Sequence, residues 1–513
     1  MRQDSLFFGR GGNRFSNAVS IFISVVFLAL MGYLLVRYKF YTYIVREQLF
    51  STPKFGLLMV IYLVLAAVSA LFVYRSFRKE SERPLAWGVA IFCTALIARL
   101  IVYLFVFYTP ANDFANYYEM GVAFANGDWA YISNMADSYQ ISSFSGIGVI
   151  NGIWMVLTGT SARTFQLTQC VVTSFSSVAV YGLARRVDER SAPVAGLLFA
   201  FYPSNILFSQ INSNQHIAVL VTLLAFCALL RALETSAFSA SALWAALGGA
   251  LLLIGYFAHP SAAPTLVALG ALWLVLVCSA LKKGGEILRL LVIAVAFCVG
   301  FFALRTGANA AMREMGLQKE SQMSVSYLGK IANGLNPDTG GALSFSDWDE
   351  IMAQPEGERQ AYCMTLIRQR LTNGNLPQLL DTKLRHMWLE KDDVFGWVAV
   401  GIAPTSALRG GEASLLSWMA AGNLLDFFYV AVVYLFSWIG VLLRKRGTAF
   451  DLIVWVLLGW IGAHLLIEIQ TRYRYLAMPL LFILAGYALV RLLEPISRRL
   501  NKRMTPASEE GKS

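Results

Sequence analysis

Charged residues are scarce in this chain of 513 residues, at 14% of the total, whereas hydrophobic residues make up 57%. Such a composition is too apolar for a soluble globular domain and indicates a polytopic membrane protein. Cysteines are also few: five of the six lie in apolar runs and only Cys363 lies in a polar segment, which excludes a disulfide pair there. The sequence lacks zinc-site spacing, a phosphate-binding glycine loop, an internal repeat and a nucleic-acid-binding signature.

Apolar runs that approach membrane-spanning length are numerous. A span needs roughly 20 apolar residues, and a further run, 142–158, would either cross the membrane or lie at its surface. We therefore predict an all-α polytopic fold with about 12–13 transmembrane helices. The other runs are residues 17–36, 56–74, 86–108, 164–183, 192–208, 216–233, 242–257, 262–281, 287–304, 421–443, 451–467 and 475–492.

Basic residues indicate the orientation of these spans, because Lys and Arg favour cytoplasmic loops. If 142–158 does not cross, both termini and the basic clusters fall on the cytoplasmic side, and the basic loop 37–54 is the exception. The net charge of +11 is then largely that of a cytoplasmic rim facing anionic lipid. The clusters are Arg10 and Arg14; Arg75, Arg78, Lys79 and Arg83; Arg185, Arg186 and Arg190; Lys282 and Lys283; Arg444 to Arg446; and Arg498 to Arg503.

The long polar stretch 305–420 faces outward in this topology. Its mixed charges, turn sequences and helical-looking runs around 358–371 and 377–390 predict a small α-rich extracytoplasmic cap. We divide the chain into a transmembrane catalytic region, 1–304, with its first outer loop at 109–141; the cap, 305–420; and the C-terminal transmembrane helices with a cytoplasmic tail, 421–513.

The first outer loop contains a polar motif directly after an apolar run, NDFANYYEMGVAFANGDW at 112–129. An acid at the edge of the bilayer, such as Asp113, can act as general base, metal ligand or partner of a cation, and its plainer interpretation is a solvated interfacial acid. Tyr117 follows one helical turn later. Asp128, in the Gly-Asp-Trp turn, is expected to accept backbone hydrogen bonds in a structural role.

Three later segments lie on the same expected face of the membrane. Each places polar residues next to an apolar run, and the order along the chain carries more weight than any one segment. They are ARRVDERSAPVAGLLFAFYPSNILFSQINSNQH at 184–216, which ends in Gln215 and His216; IGYFAHPSA at 254–262, with His259; and IEIQTRYRYLAMPLL at 467–481, with Glu468, Arg472, Tyr473 and Arg474.

In this order, the four segments resemble the GT-C superfamily of membrane glycosyltransferases. The resemblance is to the branch that contains the protein O-mannosyltransferases and the lipid A aminoarabinose transferase, and is therefore glycosyltransferase family 39-like. Gln215 stands where the family often has an acid, and His259 replaces the basic residue of a frequent Arg-Pro pair. The resemblance covers most of the membrane region and implies the GT-C helix arrangement, with juxtamembrane helices in the first outer loop.

The resemblance implies an inverting transfer of a sugar from a polyprenyl-phosphate donor in the outer leaflet to an acceptor hydroxyl, phosphate or amide. The acceptor would belong to a glycan, lipid or protein of the cell envelope. The enzyme would be a multi-pass protein of the cytoplasmic membrane with an extracytoplasmic active site. Such a reaction needs a base for the acceptor's proton, assigned here to Asp113, and a cation for the leaving phosphate, assigned to Arg472, whose fork can hold phosphate bidentately.

The remaining candidates are grouped around these two residues. Glu468 lies four residues before Arg472 and would orient it or pair with it. Because we expect the phosphate contacts to lie apart from Asp113, donor binding should survive the loss of its carboxylate. The expected substrate-binding residues are Tyr117, Gln215, His216, His259, Glu468, Arg472 and Tyr473, with further donor-phosphate contacts from Lys383, Arg385 and Arg474.

Several of these residues also have plainer interpretations. Arg472 can be a helix-end residue whose side chain only reaches the lipid headgroups. His216 and His259 are either hydrogen-bonded structural residues or, with Asp113, ligands of a divalent metal such as zinc or manganese. Gln215 argues against a second carboxylate there, so we favour metal-independent catalysis. The cap tryptophans would stack on a sugar or form an interfacial belt: Trp348, Trp388 and Trp397.

Two other functional classes fit a chain of this kind. A transporter or flippase of a lipid-linked sugar would also be polytopic, but it usually carries ionisable residues near the middle of its spans and has repeated halves. A glycan polymerase or ligase shares the lipid-linked substrate and a long outer loop. The spans contain almost no acids and the chain has no repeat, which disfavours a transporter, and the motif at 112–129 favours the GT-C branch over a polymerase or ligase.

Overall fold

The computed structural model describes residues 14–38, 53–77, 84–138, 143–259, 262–281, 284–318, 325–392, 394–401, 411–444 and 447–504. In these residues the chain forms helices, turns and connecting loops, and no β-strand. The expected all-α fold is confirmed. Most of the loop 37–54 and several of the basic clusters lie outside the described residues.

Helices dominate because a backbone in lipid must satisfy its hydrogen bonds within its own segment. The first half of the chain contains α1 (Arg14–Arg37), α2 (Pro53–Phe77), α3 (Pro84–Phe105), α4 (Asp113–Ala125), α5 (Trp129–Ser138), α6 (Ser143–Thr158), α7 (Ala162–Val187), α8 (Ala192–Ala200), α9 (Pro203–Phe208), α10 (Gln215–Glu234), α11 (Phe238–Ala258) and α12 (Ala262–Ala280). The second half contains α13 (Gly284–Cys298), a π-helix (Val299–Ala303), α14 (Leu304–Glu314), α15 (Val325–Gly334), α16 (Phe345–Ala353), α17 (Arg359–Asn373), α18 (Leu376–Leu389), α19 (Val394–Gly401), α20 (Gly411–Leu442), α21 (Thr448–Leu466), a 3₁₀-helix (Thr471–Leu476) and α22 (Met478–Met504).

Nine helices in the described part of the chain are long and apolar enough to cross a membrane. Three further apolar helices, Pro53–Ala66, Ser145–Thr158 and Pro264–Ala280, are shorter than these nine, so the described residues contain fewer membrane-length helices than the 12–13 predicted. The protein is a multi-pass membrane protein. The nine are Arg14–Arg37, Pro84–Phe105, Ala162–Val187, Gln215–Glu234, Phe238–Ala258, Glu286–Glu314, Leu416–Leu442, Thr448–Leu466 and Met478–Pro495.

Two apolar runs differ from simple spans. The run 192–208 forms two helices, because α8 ends at Ala200 and α9 begins at Pro203, whose ring favours the first turn of a new helix. The run 142–158 forms α6, which at 16 residues is shorter than a straight span requires. Because α6 packs against α4 and α11, it supports the helix that begins at Asp113.

The helical bundle has two ends that differ in their side chains. At one end, which we call the basic end, Arg186 pairs with Glu234 at the C-terminus of α10. At the other, which we call the site end, α10 begins at Gln215 and α4 begins at Asp113. The 20 residues of α10 separate the two ends by about 30 Å.

Two helices cross with their backbones in contact where α11 meets the π-helix. A Cβ atom on Gly249 would lie 2.3 Å from the Phe297 carbonyl oxygen, and one on Gly300 would lie 2.2 Å from the Ala246 carbonyl oxygen. Small residues allow this approach, as is common between membrane helices. The crossing fixes the span Glu286–Glu314 against α11 and brings α14 beside the C-terminal end of α11.

The polar stretch 305–420 contains helices with a small core of their own. α17 and α18 lie close to the expected helical runs 358–371 and 377–390. Four buried apolar side chains form the core, and Asp347 adds a buried ion pair, with Arg370 at 2.8 Å. The core residues are Ala332, Leu335, Ile367 and Leu379.

Candidate functional site

Asp113 and Arg472, which are 359 positions apart in sequence, form an ion pair at the site end. Arg472 Nη2 donates to Asp113 Oδ2 at 2.9 Å. The Asp113 side chain is 35% exposed and the Arg472 side chain 8%. In the described part of the chain, Asp113 Oδ1 has no partner, and neither does the buried Nε of Arg472. The pair therefore offers an accessible acceptor oxygen beside a buried cation with hydrogen-bond donors to spare.

Aromatic rings surround the Arg472 guanidinium. Its central carbon lies 5.2 Å from the ring centre of Trp397, 5.5 Å from Phe114 and 5.8 Å from Tyr473. Burial by itself would lower the pKa of Arg472, but Tyr473, Tyr117 and Asp113 raise it above its ordinary value, so the side chain stays charged. Because Arg472 is buried and ion-paired, its interpretation as a residue that reaches the headgroups is wrong.

The backbone ahead of Asp113 is strained. Asn112 has a φ of 53°, the one positive φ outside glycine among the described residues. Asparagine tolerates this region better than most residues, but the conformation still costs free energy and persists only where the surroundings hold it. Asp113 then occupies the first turn of α4, where the positive end of the helix dipole stabilises a carboxylate.

The 3₁₀-helix Thr471–Leu476 directs successive side chains to different partners, because it has three residues per turn. Arg472 faces Asp113, and the Tyr473 hydroxyl donates to Glu468 at 3.0 Å. Arg474 turns away and donates to the backbone carbonyls of residues 387, 388 and 390, and it pairs with Asp392 at 3.4 Å. The tight helix therefore concentrates the site on Arg472 and Tyr473.

Glu468 pairs with Lys330 rather than with Arg472. Lys330 Nζ donates to Glu468 Oε1 at 2.8 Å. Burial would raise the pKa of Glu468, but Lys330 lowers it below its ordinary value, so the carboxylate stays ionised. The four-residue spacing to Arg472 fails as a guide because residues 467–470 are not helical, so the two side chains do not share a helix face.

Gln215 and His259 lie next to Tyr473, whereas His216 packs against Tyr475. Gln215 Nε2 lies 3.3 Å from His259 Nε2, and the His259 ring centre is 6.1 Å from that of Tyr473. Burial, reinforced by Lys330 and Arg472, lowers the pKa of His259 to about 3, so this ring is neutral. His216 is fully buried, with one ring nitrogen 3.2 Å from the Tyr475 hydroxyl and the other 3.0 Å from the Phe208 carbonyl oxygen. Its geometry is that of a structural residue.

Lys383 does not offer its ammonium to a phosphate. The buried Nζ donates to three backbone carbonyl oxygens, those of Gly334 at 2.7 Å, Ile467 at 2.8 Å and Leu465 at 2.9 Å. An ammonium has three N–H donors, so none is left for a ligand. Lys383 instead joins the end of α15 to the end of α21, immediately ahead of Glu468.

We expect Lys383→Met to destabilise the fold. The change leaves three carbonyl groups without their donor, and each unsatisfied buried group costs about 1–3 kcal/mol. Thermal unfolding in detergent should show a Tm lowered by several degrees. Arg385→Met is the matched control on the same helix, because Arg385 is partly exposed and pairs with Asp381 one turn away. Equal Tm values for the two variants would contradict the role given to Lys383.

Two further phosphate candidates are also engaged elsewhere. Arg385 Nε donates to Asp381 Oδ2 at 2.9 Å on α18, away from the contacts of Arg472. Arg474 is fully buried and holds cap carbonyls, as described above. Neither guanidinium is part of the cluster around Asp113, so the geometry favours structural roles for both.

Asp128 has the structural role expected for it. Its Oδ1 accepts a hydrogen bond from the Tyr131 backbone N–H at 3.1 Å, which caps the start of α5. The described residues contain no group of three His, Cys, Asp or Glu side chains placed to hold a metal ion. Asp113, His216 and His259 therefore do not meet as a ligand set.

Sequence reasoning missed Lys330 and the aromatic surroundings of Arg472. Lys330 is 138 positions from Glu468, and nothing in its local sequence marks it as a partner. Trp397 was included only as one of three cap tryptophans, yet it lies against the guanidinium, and its ring centre is 5.8 Å from that of Phe114. A pattern search along one chain cannot find contacts of this kind.

Three solved chains resemble the fold. Archaeal oligosaccharyltransferase AglB from Archaeoglobus fulgidus, in complex with an inhibitory peptide and a dolichol-phosphate, aligns with 83% of this chain at 14% identity and a TM-score of 0.38. The Archaeoglobus fulgidus oligosaccharyltransferase tethered to an acceptor peptide aligns with 82%, at 14% identity and a TM-score of 0.41. ArnT from Cupriavidus metallidurans, bound to undecaprenyl phosphate, aligns with 82%, at 17% identity and a TM-score of 0.32.

The extent of these alignments differs. The chain spans about half of the two oligosaccharyltransferase chains, 53% and 51%, and 81% of the ArnT chain. No protein-family model matches the sequence, and no curated protein matches it. At this level of similarity, glycosyltransferase family 39 is not established for the chain.

Proposed function

We propose that this protein is a membrane glycosyltransferase that moves a sugar from a polyprenyl-phosphate donor to an acceptor of the cell envelope. The observation that carries the proposal is the Asp113–Arg472 pair, with its accessible carboxylate oxygen and its buried guanidinium. The class of donor comes from the sequence resemblance to the GT-C transferases. The chemistry assigned to each residue comes from the contacts in the site.

The reaction needs a base for the acceptor and a cation for the leaving phosphate, and the two residues supply one each. The acceptor hydroxyl attacks the anomeric carbon and loses its proton, which Asp113 Oδ1 is placed to accept. The bond from the anomeric carbon to the phosphate oxygen breaks, and the lipid phosphate leaves with the electron pair. The charge that develops on this phosphate is stabilised by the terminal N–H groups of Arg472 that Asp113 does not use. An inverting transfer would bring acceptor and phosphate to opposite sides of the anomeric carbon.

The neighbouring residues support this arrangement. Lys330, Glu468 and Tyr473 form a buried hydrogen-bonded chain that fixes the segment ahead of Arg472. Asp113 and Arg472 share a hydrogen bond, so base and phosphate contacts are adjacent rather than apart. The expectation that donor binding would survive the loss of Asp113 is therefore replaced by a prediction that both binding and turnover change.

The proposal includes the orientation of the helical bundle in the membrane. The Arg186–Glu234 pair lies at the basic end and the Asp113–Arg472 pair at the opposite end of the spans. Because Lys and Arg favour the cytoplasmic side, we place the site end and the cap on the extracytoplasmic face of the cytoplasmic membrane. A donor presented in the outer leaflet would then reach the site without crossing the bilayer.

A transfer assay in detergent tests the proposal against its rivals. Purified protein is incubated with a lipid-phosphate sugar fraction extracted from the same cells and with delipidated envelope material as acceptor. We expect donor to be consumed and sugar to appear on the acceptor. A flippase moves its substrate between two leaflets, and a detergent micelle has no leaflets. The proposal would be contradicted if wild-type protein left the donor intact in detergent and moved it between leaflets in vesicles.

A further inference from the structure

A second cationic cluster lies at the outer edge of the bundle, around Arg305. Arg305 Nη2 donates to the Tyr256 hydroxyl at 3.1 Å, and its guanidinium carbon lies 4.7 Å from the centre of the same ring. The Tyr256 hydroxyl is also 3.2 Å from that of Tyr327. The other N–H groups of Arg305 have no partner in the part of the chain that the structure describes. The cluster holds a guanidinium in place and leaves most of its donors open.

The position of Arg305 along its span fits contact with a lipid headgroup. It belongs to the span Glu286–Glu314, and at the rise of an α-helix it lies about 28 Å along the axis from Glu286, close to the thickness of a hydrocarbon core. The side chains just before it are open to the surroundings, with Phe302 48% and Leu304 52% exposed. An acyl chain can therefore pack on this face of the span while its phosphate meets Arg305.

The cluster is connected to the Asp113–Arg472 site through two elements. Tyr327 and Lys330 lie one turn apart on α15, and Lys330 bonds to Glu468. Tyr256 lies near the end of α11, which His259 caps, and His259 faces Tyr473. Three cationic side chains therefore lie in order: Arg305 at the exposed edge, Lys330 between the two sites and Arg472 at the centre.

We propose that Arg305, Tyr256 and Tyr327 form a separate docking site for the phosphate of the polyprenyl-phosphate donor, occupied before the phosphate reaches Arg472. An arginine whose guanidinium lies against an aromatic ring, and whose other N–H groups are open, is suited to bidentate phosphate binding. The continuity with Lys330 and Glu468 favours the donor over bulk phospholipid. The inference rests on the proposed function for the identity of the donor.

The test is a binding measurement on the full-length chain in detergent, with a sugar-free polyprenyl phosphate as probe and phosphatidylglycerol as the competing lipid phosphate. Native mass spectrometry reports bound lipid. Because the probe also binds at Arg472, the number of bound molecules is counted, and we expect Arg305→Gln to weaken the binding of one of the two by about tenfold, the loss of one charge-assisted contact. Arg313→Gln on the same helix, where Arg313 is exposed, is the matched control and should stay within about twofold of wild type.

The outcomes separate the alternatives. Equal affinities for Arg305→Gln and Arg313→Gln overturn the docking site and leave the proposed function untouched. An equal loss for phosphatidylglycerol makes this a bulk-lipid site and overturns the assignment to the donor. A selective loss in Arg305→Gln, together with absence of sugar transfer by wild-type protein, supports the docking site while the proposed function fails. If Arg305→Gln does not fold, Arg305→Lys keeps the charge without the fork and should still weaken the probe more than Arg313→Lys does.

Discussion

Asp113→Asn is expected to lower turnover by about a hundredfold to ten-thousandfold, the range typical of a lost general base. The amide keeps the size of the carboxylate but cannot accept the acceptor's proton as a base. Because Arg472 Nη2 also loses an ionic partner, donor affinity should change as well. Steady-state transfer assays with saturating donor separate the loss in turnover from the change in affinity.

Asp128→Asn is the control for this experiment. Asp128 lies in the same outer loop and caps α5 through the Tyr131 backbone N–H, a role that costs stability rather than catalysis when it is lost. Turnover of the folded Asp128 variant should stay within about threefold of wild type. If the Asp113 variant also stayed within that range, or the Asp128 variant were the more damaged, Asp113 would not be the base.

Arg472→Lys is expected to lower turnover by about a hundredfold or more, comparable to the removal of a donor that stabilises charge in a transition state. Lysine keeps the charge but loses the planar fork, so it cannot bond to Asp113 and a phosphate oxygen in the same geometry. Arg472→Ala should be at least as damaging, since it leaves Asp113 without its partner. Binding of the sugar-free lipid phosphate should weaken in both variants.

Arg385→Lys is the control for Arg472→Lys. Arg385 pairs with Asp381 on α18 and touches none of the residues around Arg472. Its partly exposed ion pair predicts little effect on either measurement. Unchanged affinity and turnover in folded Arg472→Ala would show that the buried ion pair serves only the fold.

The fold was predictable from the sequence to the extent that it follows from apolar runs. The apolar runs predicted where the nine membrane-length helices lie, and turn and charge patterns predicted the helices α17 and α18. The break between Ala200 and Pro203 was hidden inside an apolar run, because hydrophobicity does not distinguish one helix from two. For the same reason, hydrophobicity does not show whether the short α6 crosses the membrane or lies at its surface.

The sequence singled out the two residues of the candidate site's ion pair, Asp113 and Arg472, but not the arrangement around them. Asp113 and Arg472 each stand in a local motif that marks them, and the structure shows that they touch. The partners of Glu468 and Lys383 depend on contacts between distant segments. The four-residue spacing predicts Arg472 as the partner of Glu468, and the positive charge of Lys383 in the cap predicts a phosphate. The 3₁₀-helix explains why Arg474, two residues from Arg472, faces the cap.

Sugar transfer at Asp113 and Arg472 is tested most directly by mass spectrometry of envelope glycans, lipids and glycoproteins from cells that lack this protein, complemented with the wild type or with Asp113→Asn. We expect one sugar modification to disappear in the deletion strain, wild-type protein to restore it, and the Asp113 variant not to restore it at equal expression. An unchanged set of modifications in the deletion strain, or full restoration by the Asp113 variant, would contradict the central claim that sugar transfer takes place at Asp113 and Arg472.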